Sequence, residues 1–236
     1  MPIYAWAIEH PEGVIVVDTG DTARTSEPGY LPRWHPYYRL APRLDVAPEQ
    51  EIGPQLRRRG ISPDDVRAVV LTHLHTDHAG LHHVPNSDVF CTQAEYRLAR
   101  GFGGRLRGYL PNRWPAWFRP KPLVFDPAPF GPFERSRALT ADGSVVAVPT
   151  PGHTPGHVSV VAADDDVSYF LAGDVSYTER LLLEEAADGV SPDERSALAT
   201  MRNVLRYARD NRTVYLPSHD PDSEKRLADG IVVRVS

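Results

Sequence analysis

Four potential metal ligands follow one apolar run in quick succession. They are His73, His75, Asp77 and His78, in the segment HLHTDH. Residues 66–71 before them are almost all apolar, which is typical of a strand buried on both faces. Alternate side chains of an extended segment share a face, so His73 and His75 should point to the same side, with Asp77 and His78 on the turn that follows. Neutral imidazole and carboxylate suit zinc, and the segment therefore predicts a zinc site at a strand end.

Three further potential ligands stand alone, each just after another apolar run. They are His153 in the segment PGHTPGH, Asp174 in GD and His219 in PSHD. Side chains from several strand ends can converge on one edge of a sheet, so these residues would complete the shells of two metals. We interpret the histidines without such spacing as structural or solvent-facing, and we expect His157 to orient the loop 151–157. This group comprises His10, His35, His82, His83 and His157.

Short apolar runs alternate with helical segments along the chain, and glycine- and proline-containing turns separate them. This alternation predicts an α/β arrangement of sheets with helices. We expect a hairpin around HPEG, a helix opened by the capping box TQAE, and another opened by Ser191 with Pro192 at its first position. The predicted strands are residues 3–8, 14–17, 66–71, 89–91, 144–148, 157–162, 167–171, 213–216 and 231–235. The predicted helices are residues 48–60, residues 92–100, the stretch after Ser191 and a last helix from Asp220.

Two long segments, at about residues 21–47 and 101–133, have no regular pattern and are rich in proline, glycine and aromatic residues. Irregular segments of this length are commonly functional or mobile. Their aromatic side chains either pin the loops to the body of the protein or build the wall of a substrate pocket. The pocket candidates are Trp34, Tyr37, Trp114, Trp117 and Phe118.

Charge and cysteine content exclude several classes of function. The chain has 236 residues and a formal net charge of −5, so it offers no basic field for a nucleic acid. We interpret its local arginine clusters as solvated surface. Cys91 is the only cysteine, which excludes an intramolecular disulfide, and its apolar neighbours predict a core residue. The sequence shows no membrane-spanning run and no secretory signal, so we expect one cytoplasmic domain over residues 1–236 with no membrane partner.

The ligand pattern resembles that of the metallo-β-lactamase superfamily, whose HxHxDH motif matches residues 73–78 without a departure. The resemblance runs from residue 14 to residue 219 and implies an αββα sandwich. Within the superfamily the chain most resembles the N-acyl homoserine lactonases, which degrade quorum-sensing signals. Three segments carry this narrower match: PEQEIGPQL at 48–56, PGHTPGH at 151–157 and DVSY at 174–177. Such lactonases normally have more strand residues before the segment that matches residues 4–18, so we expect the first strand to be shortened or missing.

The resemblance also implies roles for individual residues in a centre of two zinc ions. It assigns His73, His75 and His153 to one zinc, Asp77, His78 and His219 to the other, and Asp174 to a bridge between them. Tyr177 matches the tyrosine that hydrogen-bonds the substrate carbonyl, and Asp18 matches a turn residue that supports the site. Two zinc ions lower the pKa of a bridging water from about 15.7 towards neutrality, and the resulting hydroxide would attack an ester or lactone carbonyl. Tyr177 would stabilise the oxyanion, while Asp77 or the second zinc would assist the leaving alkoxide.

Several related activities stay open on the sequence alone. A glyoxalase II-like thioesterase would need a C-terminal helical domain, and few residues follow His219. A promiscuous esterase or phosphotriesterase of the same fold is a second alternative. From another class, a mononuclear iron oxygenase resembling persulfide dioxygenases is a third, although the full ligand set favours two metals. We expect a monomer or homodimer that takes a small lactone or ester and no nucleic acid.

Overall fold

The computed structural model describes residues 1–32, 35, 38–39, 45–189 and 191–235. The chain divides into two compact units. We call Ala5–Pro122 the first unit, and Met1–Tyr4 together with Leu123–Ser236 the second unit. Each unit contains one five-stranded sheet with helices, which confirms the predicted mixed α/β class. The expectation that the chain forms one domain stays a prediction.

The sheet of the first unit has its strands in chain order, β1 to β5. The first two strands form the predicted antiparallel hairpin, and the others pair in parallel. The first strand is present as a three-residue edge strand, so it is short and not missing. Val69 and Val70 of the central strand are fully buried, as its continuous apolar run predicts. The strands are β1 (Trp6–Ile8), β2 (Val14–Val17), β3 (Val66–Val70), β4 (Asp88–Cys91) and β5 (Lys121–Pro122).

Three short helices accompany this sheet in the described residues: α1 (Ile52–Arg58), α2 (Gln93–Arg100) and α3 (Phe102–Leu106). The helix predicted over 48–60 is shorter than expected, because Pro48–Gln50 forms a separate 3-10 turn and Glu51 is extended. Helix α2 begins where the capping box predicts, since the Thr92 hydroxyl accepts the Glu95 backbone N–H. Cys91 is buried, as expected, and burial raises the pKa of its thiol to about 12.

The sheet of the second unit runs in the order β10, β9, β8, β7, β6. Strands β9 and β10 pair in parallel, and the remaining pairs are antiparallel. The strands are β6 (Arg137–Ala138), β7 (Val145–Pro149), β8 (Val158–Asp164), β9 (Val167–Gly173) and β10 (Arg212–Pro217), and the helices of the described part are α4 (Glu179–Leu183), α5 (Glu194–Asp210) and α6 (Ser223–Asp229). Met201, Leu205 and Ala208 of helix α5 are buried, and the partly buried Leu198 packs against the same core.

Four details of the predicted elements are wrong. Helix α5 is capped by Asp193 and not by Ser191, because the Asp193 carboxylate accepts the Ser196 backbone N–H. The last helix begins at Ser223 instead of Asp220. Residues 231–235 form no strand, although the Val233 N–H donates to the Thr213 carbonyl. The segment 101–133 is not wholly irregular, since it contains helix α3 and strand β5.

A single methyl group added at Gly152, in the turn before His153, should measurably lower the stability of the fold. Gly152 has a φ of +152°, and a Cβ there would lie 2.5 Å from the Cα of Ala197. We expect Gly152→Ala to lower the free energy of unfolding by about 2–4 kcal/mol through overpacking and backbone strain, measured by urea denaturation. Gly103→Ala is the control, because a Cβ there meets nothing within 4 Å. An equal loss in both variants would contradict the packing argument.

Candidate metal centre

The end of β3 brings the ligand cluster of the first unit together. His73 and His78 are buried, while His75 and Asp77 are partly exposed. The Nε2 atom of His73 lies 3.0 Å from the Nδ1 atom of His75. Residues Thr76–His78 form a single 3-10 turn, which places the His78 Nε2 atom 3.9 Å from an Asp77 carboxylate oxygen. The segment therefore folds back so that three imidazoles and one carboxylate share a small volume.

One buried carboxylate, that of Asp18, orients two of these imidazoles. Its Oδ2 atom accepts from the Thr72 hydroxyl and from His78 Nδ1, each at 2.8 Å, and its Oδ1 atom accepts the Thr72 backbone N–H. Because the Thr72 hydroxyl donates to Asp18, its oxygen is left to accept from His73 Nδ1 at 3.0 Å. Both histidines thus use Nδ1 towards the protein, which leaves Nε2 as the ligand atom.

Asp21 lies in the same unit and was not singled out from the sequence. It is buried, and its Oδ1 atom accepts the Thr22 backbone N–H. Burial raises the pKa of Asp21 to about 7, and the negative charge of Asp77 adds to the rise. Little in the sequence marks Asp21, because an aspartate after a glycine turn is common on protein surfaces.

The ligand cluster of the second unit centres on Asp174, which directly follows β9. Its Oδ2 atom lies 3.5 Å from His153 Nε2 and 3.3 Å from His219 Nε2. All three side chains are buried. One oxygen of the Asp174 carboxylate therefore lies within 3.5 Å of two imidazole nitrogens.

Further contacts in the second unit fix the orientation of these ligands. The Nε2 atom of His157 accepts the Asp174 backbone N–H at 3.0 Å, and its Nδ1 atom pairs with the Thr150 hydroxyl. His157 thus supports the ligand Asp174 as well as its own loop. His219 Nδ1 donates to the Pro2 carbonyl at 2.9 Å, which leaves Nε2 towards Asp174.

Asp188 is a second residue that the sequence did not single out. Its carboxylate lies 3.5 Å from the Nδ1 atom of His153, on the side away from Asp174. Burial alone would raise the pKa of Asp188, but hydrogen bonds from His153 and Ser191 outweigh burial and lower the pKa. No sequence motif marks this aspartate, since it lies in an irregular connection before helix α5.

Tyr177 lies beside the ligands of the second unit. Its ring centroid is 5.2 Å from that of His219, edge-on, and 6.1 Å from that of His153. The side chain is partly exposed. A phenol at this position lies next to the polar cluster and within reach of solvent.

The aromatic pocket candidates have different environments. Trp34 and Tyr37 lie outside the described residues. Phe118 is buried in the core of the first unit, and Trp114 packs against that core and stacks on Tyr96. Trp117 is 37% exposed. Phe118 and Trp114 therefore attach their loop to the core, and they are less suited to contact a ligand.

The donor atoms in each unit have the spacing that a zinc ion needs. Zn–N distances of about 2.0–2.1 Å place the ligand atoms of a tetrahedral ion about 3.3–3.4 Å apart. The separations within the units are 3.0 Å between His73 and His75, 3.3–3.5 Å around Asp174 and 3.9 Å between His78 and Asp77, and they bracket this value. The mixture of imidazole and carboxylate donors also suits zinc. The residues present fit the metal.

Comparison with known proteins identifies the family. A family model described as the metallo-beta-lactamase superfamily matches residues 1–219. The chain belongs to this superfamily. AttM, an N-acyl homoserine lactonase of Agrobacterium fabrum, is 28% identical over 234 residues, covering 94% of this chain and 83% of AttM. AiiA, an N-acyl homoserine lactonase of Bacillus thuringiensis subsp. kurstaki, is 26% identical over 233 residues, covering 95% and 84%. The resemblance to these lactonases is therefore confirmed, and the chain is a hydrolase of this superfamily.

Solved structures show the same fold. A variant of B. thuringiensis AiiA with N-decanoyl-L-homoserine bound at its active site has a TM-score of 0.76 at 24% identity, covering 99% of this chain and 85% of that chain. AidC, described as a dizinc quorum-quenching lactonase, has a TM-score of 0.66 at 18% identity, covering 93% and 72%. These matches confirm the metallo-β-lactamase fold. None of the helices in the described part of the chain is long and apolar enough to span a membrane.

The raised pKa of Asp21 predicts a pH-dependent stability of the metal-stripped protein. The folded state keeps this proton up to about pH 7, whereas an unfolded aspartate loses it near its usual value of 3.8. Stability should therefore fall as pH rises between these values, by at most about 4 kcal/mol from this group. Asp21→Asn should remove that part of the pH dependence, measured by urea unfolding at about pH 5 and about pH 8. The exposed Asp65→Asn is the control. Identical pH profiles of wild type and Asp21→Asn would contradict the assignment.

Proposed function

We propose that this protein opens lactone rings, with N-acyl homoserine lactones as its substrates and two zinc ions as its cofactors. The observation that carries the proposal is the arrangement around Asp174, whose Oδ2 atom stands between His153 and His219 with Tyr177 beside both. The curated relatives that are N-acyl homoserine lactonases support the substrate. The dizinc description of AidC supports the metal number.

One zinc would be held by three imidazoles and the other by two imidazoles and a carboxylate, with Asp174 common to both. The sets are His73, His75 and His153 for the first zinc, and Asp77, His78 and His219 for the second. The directed Nδ1 contacts of His73, His78 and His219 support this assignment, because they leave Nε2 as the donor.

Two bound zinc ions would supply a nucleophile from water at neutral pH and polarise the substrate carbonyl. Tyr177 would donate its hydroxyl proton in a hydrogen bond to the carbonyl oxygen, which gains negative charge as the nucleophile adds to the carbonyl carbon. Asp77 would accept a proton from the attacking water and return it to the leaving alkoxide oxygen, which becomes the hydroxyl group of homoserine. Asp18 would keep the imidazoles of His73 and His78 oriented throughout.

An acyl chain needs an apolar surface outside the ligand clusters. Trp117 offers an apolar surface, since its side chain is partly exposed. Its ring lies edge-on to that of Phe118, with 6.4 Å between the ring centroids. We assign acyl-chain contact to Trp117, with Trp114 and Phe118 supporting it from the core. Trp34 and Tyr37 keep this role as a prediction from the sequence.

Metal content and substrate range test the proposal together. We expect elemental analysis of the purified protein to find close to two zinc ions per chain. In a pH-stat assay, an acyl homoserine lactone should be opened faster than a thioester, a phosphotriester or a β-lactam, because the relatives are lactonases. One metal per chain, or iron with oxygen-dependent turnover, would exclude the dizinc lactonase. Preference for the thioester would indicate the glyoxalase II-like alternative.

Tyr177→Phe tests the carbonyl contact. Loss of one hydrogen bond that strengthens in the transition state should lower kcat by about 10- to 1000-fold, with zinc content unchanged. Tyr169→Phe is a matched control, since Tyr169 is a half-buried tyrosine of β9 in the same unit. If turnover of Tyr177→Phe equals that of the control, Tyr177 is not the carbonyl partner.

A further inference from the structure

Glu95 is an acidic residue at a fully buried position, where an ionised carboxylate costs free energy. It lies in helix α2 with no exposed surface, and burial of a charge is tolerated only when hydrogen bonds compensate for lost water. Its Oε1 atom accepts the Leu74 backbone N–H at 3.1 Å and the Tyr109 hydroxyl at 2.6 Å. The capping-box pattern explains why a glutamate follows Thr92, but the side chain turns into the protein and not back to the helix start.

Glu95 binds the backbone between two of the proposed ligands. Leu74 separates His73 from His75, and the two imidazoles face the same side only while this short segment stays extended. The Leu74 N–H donates to the Glu95 carboxylate. Fixing that N–H therefore fixes the backbone from which both imidazoles project.

Tyr109, the second partner of Glu95, also touches one of the ligands. Its ring centroid lies 4.5 Å from that of His75, with 41° between the ring planes. Tyr109 is almost fully buried, so its ring covers one side of an imidazole that is otherwise partly exposed. The Tyr38 hydroxyl donates to the carbonyl of Gly108, the residue before Tyr109, and so links the segment 21–47 to this region.

We propose that Glu95 and Tyr109 are positioning residues for the His73–His75 segment, holding its backbone and the His75 ring in the geometry that binds metal. Glu95 acts on the backbone through Leu74, and Tyr109 acts on the ring by direct contact. Neither residue reaches the reacting atoms in this account. The inference rests on the proposed metal centre, but it does not depend on the lactone being the substrate.

Three variants separate the two contacts. Tyr109→Leu removes the ring and the hydroxyl, Tyr109→Phe removes the hydroxyl alone, and Glu95→Gln keeps an acceptor oxygen without the charge. Zinc affinity is measured on the full chain by competition with a chromogenic chelator, and cobalt is substituted to record its visible d–d spectrum. Loss of outer partners of metal ligands typically weakens metal binding by about 10- to 100-fold. We expect a loss of this size for Tyr109→Leu with a changed cobalt spectrum, and smaller losses for Glu95→Gln and Tyr109→Phe.

Tyr207→Phe is the matched control for a purely structural effect. Tyr207 is also buried, its hydroxyl bonds the Ser168 hydroxyl at 2.9 Å, and its ring packs against Phe133 and Phe170 in the core of the second unit. It should lose thermal stability while keeping wild-type zinc affinity and cobalt spectrum. The proposal is overturned if Tyr109→Leu and Glu95→Gln behave in the same way.

The readouts also separate this inference from the proposed function. Chelator competition and the cobalt spectrum need no lactone, so a wild-type chain that binds zinc but opens no lactone leaves the positioning test intact. If the variants then shift zinc affinity as expected, the positioning role is supported and the proposed substrate is wrong. Tyr109→Phe, the mildest change, keeps the test valid if Tyr109→Leu fails to fold.

Discussion

The carboxylate of Asp18 is the contact on which the first ligand cluster depends. Both of its oxygens are used, one by the Thr72 backbone and the other by the Thr72 hydroxyl and His78. The Thr72 hydroxyl in turn accepts from His73 Nδ1, so Asp18 also orients His73 indirectly. Asp18 has a φ of +58°, a left-handed conformation that aspartate tolerates better than most residues. A short acidic side chain is needed both for that turn and for the three donors.

Strand ends explain the position of the second cluster in the same way. Strands β9 and β10 are parallel neighbours, so their carboxyl ends meet at one edge of the sheet. Asp174 directly follows β9, and His219 follows β10 by two residues. Their side chains come within 3.3 Å of each other, and Gly173, directly before Asp174, has a left-handed φ of +57°. Functional groups at the carboxyl ends of parallel strands are a general feature of α/β proteins.

Patterns that depend on neighbours in sequence could be predicted, and partners from distant segments could not. The apolar run of β3 and the spacing of His73 to His78 are local, so the strand and its cluster were predictable. Glu95 had a local explanation as a helix cap, which concealed its contact with Leu74, 21 residues away. Asp188 had no pattern at all, because an irregular segment carries it to His153. Ser191 was the wrong helix cap for a related reason, since Ser191 and Asp193 both suit the cap and only the fold selects one.

Asp188 and Asp21 differ in pKa because different groups face them. Burial raises the pKa of both carboxyls, but hydrogen bonds from His153 and Ser191 lower that of Asp188, whereas the negative charge of Asp77 raises that of Asp21 further. A divalent cation beside Asp77 would lower the pKa of Asp21, because its charge outweighs that of the Asp77 carboxylate, while the larger contribution of burial would stay. Proton loss from Asp21 and metal binding at Asp77 would then favour each other, as linkage requires. The pKa of about 7 is therefore a property of the metal-free state.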